Sequence, residues 1–86
     1  MKVVSIKDIL RKDVPIYYRR LFTATAVLDI LNEHLSRKIE FTIETGPTGT
    51  RAVTVTLLEH LEYPLVPVLR ELRESIVILD KNGTLP

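Results

Sequence analysis

The segment from Lys38 to Leu58 constrains the chain most, because it specifies a β-hairpin together with its register. Ile39, Phe41 and Ile43 alternate with Glu40, Thr42 and Glu44. After an interruption, Val53, Val55 and Leu57 alternate with Ala52, Thr54 and Thr56. Strict period-two alternation marks a half-buried strand. Between the runs lies Gly46-Pro47-Thr48-Gly49-Thr50. Proline has the fixed φ suited to the second position of a type I turn, and glycine accepts the left-handed conformation that follows. A loop Pro47-Thr48-Gly49 sets Gly46 opposite Thr50, and counting outward pairs Ile43 with Val53, Phe41 with Val55 and Ile39 with Leu57. All the apolar pairs share one face, which a one-residue slip would destroy.

The rest of the chain is read around that hairpin. Ser5-Ile6-Lys7-Asp8 resembles a capping box and predicts a short helix to about Lys12, ended by Asp13 and Pro15. Ile16 to Phe22 is rich in β-formers and predicts a first strand. Residues 23–36 fit two patterns. As a strand, Ala24, Ala26, Leu28 and Ile30 point inward; as a helix, Ala24, Val27, Leu28, Leu31 and Leu35 form one stripe. With no glycine or proline between Pro15 and Gly46, a strand would be very long. Thr23 also suits a helix cap, and the helix is the reading adopted.

Pro64-Leu65-Val66-Pro67 predicts an extended connector leading to a helix at about 67–81, with Pro67 in its first turn. Leu69, Leu72, Ile76 and Leu79 supply its stripe, and Asn82-Gly83 supplies a left-handed stop. The rival is a final strand over 75–80, which gives a ferredoxin-like βαββαβ order. The expected architecture is therefore α+β: a small sheet centred on an antiparallel hairpin (about 38–45 and 51–58), covered on one face by helices. With 86 residues, a single domain over 1–86 is expected.

Composition narrows the function classes. A net charge of +1 gives no general attraction to nucleic acid or membrane. Residues 1–43 hold eight basic and five acidic side chains and residues 44–86 four and six, an asymmetry able to orient head-to-tail association. Without cysteine, thiolate metal sites and disulfides are excluded. Charge interrupts the start of the chain too early for a signal peptide, and no uncharged run approaches the ~20 residues of a membrane helix. A cytoplasmic protein that does not engage membrane is expected.

No motif for catalysis or phosphate binding is present. Gly46-Pro47-Thr48-Gly49 matches the bare GxxG pattern of KH domains, but there the loop joins helices; here it is a hairpin turn. Glu33-His34-Leu35 and Glu59-His60-Leu61 place two histidines beside carboxylates without ligand spacing, so neither metal, cofactor nor enzyme activity is expected. Tyr17-Tyr18-Arg19-Arg20 combines aromatic rings and guanidinium groups, which suits single-stranded nucleic acid and equally tyrosines packed under arginine stems. Arg51 is a candidate neighbour of this patch. Leu65 and Val66, flanked by prolines, are a second apolar candidate. The expectation is a small non-enzymatic protein-interaction or regulatory module, binding a protein partner or forming a homodimer through Tyr17, Tyr18, Arg19, Arg20, Leu65 and Val66. Nucleic-acid binding through Tyr17–Arg20 is the alternative.

Overall fold

A computed structural model describes residues 1–86. The chain runs β1 (Lys2–Lys12), β2 (Arg19–Ile30), β3 (Glu33–Thr45), β4 (Arg51–Leu57) and α1 (Leu65–Lys81). The strands form one four-stranded antiparallel sheet in the order β1-β2-β3-β4. This is a small α+β fold. The ferredoxin-like order is overturned, since no helix separates the strands and residues 75–80 are helical.

The β3–β4 hairpin has the register the alternation requires: Ile43 faces Val53, Phe41 faces Val55 and Ile39 faces Leu57. The Gly46 N–H donates to the Thr50 carbonyl at 2.7 Å, and the Gly49 N–H to the Gly46 carbonyl at 3.0 Å. Gly49 lies at φ 84°, the left-handed residue that closes this turn. The strands differ slightly from expectation, β3 starting earlier and β4 ending at Leu57.

Three expectations are corrected. Residues 23–36 are not a helix: Phe22, Ala24, Ala26, Leu28 and Ile30 are buried in strict alternation along β2. A two-residue turn, Leu31-Asn32, then leads directly into β3, pairing Ile30 with Glu33. Both turn residues have positive φ (51° and 66°), as a type I′ turn requires. The N-terminal segment is not a helix either. In β1, Val3, Ile6 and Ile9 pack against the core at a helix-like spacing of three. Irregularities between Val3 and Ser5 and between Lys7 and Leu10, with Asp8 at φ 53°, shift the alternation so that a strand presents every third residue inward. Third, the strand expected over Ile16–Phe22 starts only at Arg19 and is second in order. Tyr17 and Tyr18 stand in the preceding turn.

The single helix begins at Leu65, two residues before the expected start, so Leu65 and Val66 are helical and not an extended connector. Pro67 does sit in the first turn, where its missing N–H is harmless. The buried stripe is Val68, Leu72 and Ile76, a spacing of four throughout. These join Phe22, Ile39, Phe41 and Ile43 in one core, with Phe22 and Phe41 stacked at 4.9 Å between ring centroids. At the far end Gly83 takes φ 68°. The Thr84 N–H returns to the Leu79 carbonyl and the Gly83 N–H to Asp80, closing the helix as expected. The segment between β4 and α1 is pinned to β3: Arg37 Nε donates to the His60 carbonyl at 2.8 Å, and Glu59 accepts the Lys38 N–H at 2.7 Å.

Candidate functional site

The β1–β2 connection and the β3–β4 turn lie at the same end of the sheet, because antiparallel neighbours return there. One hydrogen bond fixes them together: the Thr45 N–H donates to the Tyr18 carbonyl at 2.9 Å. Between them opens a groove of about 1000 Å³ lined by Tyr17, Tyr18, Gly46, Pro47, Thr50 and Arg51, with Glu44, Thr45 and Ala52 completing it. The tyrosine rings meet edge to face, 5.8 Å apart at 86°. Tyr17 is 99% exposed and Tyr18 46%, so neither belongs to the core. Rings and proline form apolar walls, with polar atoms at the base.

The arginines beside the tyrosines have internal partners. Arg19 lies opposite Glu44 across β2 and β3 and forms an ion pair with it on the outer face. Its Nε is buried without a hydrogen-bond partner. Arg20 points to the other face, where its Nη2 is 3.0 Å from Oδ1 of Asp80; Arg51 Nη1 is 2.7 Å from Oδ2 of the same carboxylate. The Asp80 side chain is only 8% exposed. Burial raises its pKa, but the hydrogen bonds and charges of Arg20 and Arg51 together outweigh that and hold the carboxyl below the usual range. The cluster thus fastens the end of α1 to β2 and β4, behind the groove.

The structure separates the candidates singled out in the sequence. Tyr17 and Tyr18 meet in the groove. Arg19 and Arg20 leave on opposite faces of the sheet. Leu65 and Val66 are 46% and 68% exposed in the first turn of α1. Since Asp80 is at the groove end, that first turn lies ~22 Å away along the helix. His34 faces Asp29 across β2 and β3, while His60 sits in the pinned segment with Nε2 3.3 Å from Glu62. No three side chains able to ligate a metal gather anywhere.

Pro47 and Asp80 are the residues that sequence reasoning missed here. Pro47 reads only as a turn former until the topology brings Tyr18 beside it. Asp80 did carry a signal: it continues the series Val68, Leu72, Ile76 by another four residues, and a carboxylate on a buried stripe requires a cationic partner.

Comparison with known proteins adds one finding. The model of a protein family described as the BB-0187 family matches residues 1–81. The chain belongs to this family. No curated protein and no solved structure matches it. The match runs from the first strand through Lys81, so the groove and the Asp80 cluster both fall within the family's span. The family name carries no activity, and the function of this member is argued from the site. No helix is long and apolar enough to cross a membrane.

Proposed function

We propose that this protein is a small interaction module without catalytic activity, docking a protein segment in the groove between Tyr17, Tyr18 and Pro47. The observation that carries the reading is the exposure of Tyr17 on the wall of an open groove whose nearby cations are already paired within the chain. Exposed tyrosines contribute large, rigid contact area and dominate many interfaces. The ion pairs Arg19–Glu44 and Arg20–Asp80–Arg51 leave little uncompensated positive charge for a phosphate backbone. An apolar or mixed protein segment fits this balance better than single-stranded nucleic acid.

Selection of displayed linear peptides against the folded protein tests the reading. Selected peptides should shift the amide resonances of Tyr18, Thr45 and Arg51 and lose at least about tenfold in affinity on Tyr17→Ser. Peptides that bind equally well to the variant, or mixed oligonucleotides that bind with a steep salt dependence mapped to Tyr17, would overturn it.

A further inference from the structure

Leu31 stands out at the end of the molecule opposite the groove. It forms the first position of the β2–β3 turn at φ 51°, a conformation that costs a leucine and suits asparagine or glycine. Its side chain is 86% exposed and lies outside the core cluster. It therefore helps neither the turn nor the packing. A strained, exposed apolar residue at the tip of a hairpin is a candidate contact. That hairpin is long: β2 and β3 have 12 and 13 residues, about 40 Å of strand, in agreement with the 41 Å long axis of the molecule.

Tip and groove complement one another. The tip presents one branched apolar side chain on a narrow turn, and the groove presents two tyrosine rings and a proline around an open space. Charge agrees as well. Beside Leu31 stand Asp29 and Glu33, neither in an ion pair. At the groove end stand Arg11 and Lys12, which close β1 and also lack ion-pair partners, together with Arg51.

We propose that the occupant of the groove is the Leu31 tip of a second copy of this chain, in a head-to-tail contact. The proposal rests on the groove being a protein-docking site and adds the identity of its partner. Because donor and acceptor surfaces lie at opposite ends, the contact is heterologous and does not close on itself as a two-fold dimer does. A turn seated in a groove is smaller than a standard interface, so association is concentration-dependent and rapidly reversible. The assembly grows along the strand direction.

Two variants separate the halves of the contact. Leu31→Asn removes the tip while giving the turn a residue it prefers; Tyr17→Ser removes the most exposed wall of the groove. The wild type should sediment as a series of species growing beyond the dimer as concentration rises to the millimolar range. Each variant alone should stay monomeric, and their mixture should form a one-to-one pair and stop there. In that mixture, labelled Leu31→Asn protein should show shifts at Tyr18, Thr45 and Arg51, and labelled Tyr17→Ser protein at residues 30–33. A wild type that stays monomeric, or one whose association survives both substitutions, would overturn the head-to-tail contact. The peptide selection then decides the docking reading separately: peptides that require Tyr17 leave the groove a docking site for another protein, and their absence removes that reading too.

Discussion

Arg20 in β2 and Asp80 in α1, sixty residues apart, meet at 3.0 Å and tie the end of the helix to the second strand. Arg51 approaches the other oxygen of the same carboxylate at 2.7 Å, so one acid holds two strands. Nothing else polar joins α1 to the inner face at that end; the other contacts are apolar.

The first prediction concerns this cluster. Asp80→Asn should lower stability at pH 7 by about 1–3 kcal/mol, the range for a hydrogen-bonded, mostly buried charged group. Since the carboxyl titrates lower in the folded protein than when unfolded, its contribution is fully present above the unfolded value of about 3.9. It is lost as pH falls through the folded value. The gap between wild type and variant in urea denaturation should therefore narrow as pH drops below about 4. A gap that widens on acidification would contradict the assignment.

Turn chemistry supports a second prediction. A Cβ on Gly49 meets no atom within 4 Å, so substitution there costs only the backbone conformation. Gly49→Val should lose about 1–3 kcal/mol, because β-branched residues resist positive φ. Thr48→Val, at negative φ in the same turn, should lose far less. Equal melting temperatures for the two would mean that the turn is not set by Gly49.

At the other hairpin the direction reverses. Leu31→Asn should raise thermal stability, by up to about 1 kcal/mol, because it relieves a left-handed leucine at an exposed site. Calorimetry at low concentration, where any association is absent, isolates this effect. A lower melting temperature would mean that Leu31 makes a contact within its own chain.

Helix docking is tested by Leu72→Ala. Leu72 is fully buried at the centre of the stripe, and such truncations cost about 2–5 kcal/mol. For a chain of this length, total stability is about 4–13 kcal/mol. The variant should melt many degrees lower, whereas Arg73→Ala, one residue along and exposed, should change little.

How far the sequence reveals this fold depends on whether local signals agree. From Ile39 to Leu57, alternation, proline and glycine all point to one hairpin, and the register follows from counting. In β1 the bulges give Val3, Ile6 and Ile9 a spacing of three, so a strand looks like a helix. Between β2 and β3 the turn carries Leu31 at its first left-handed position, where glycine or asparagine is the usual marker, and nothing flags the break. The same residue that hides the turn is the one with no role in the fold. As for the site, Tyr17 and Tyr18 are visible as an exposed aromatic pair, whereas Arg20 is drawn away from them by an acid sixty positions along the chain. Contacts at that separation leave no local pattern.

The topology also sets an order of events during synthesis. Every strand pairs with the one made just before it, so the sheet is complete in the nascent chain while α1 is still to come. Until Val68, Leu72 and Ile76 emerge, Phe22, Ile39, Phe41 and Ile43 have no helix above them. A ribosome paused after Leu57 therefore displays a finished sheet with one greasy side bare, the form most attractive to chaperones. Synonymous changes that slow translation between Leu58 and Lys81 should increase aggregation without altering the final protein.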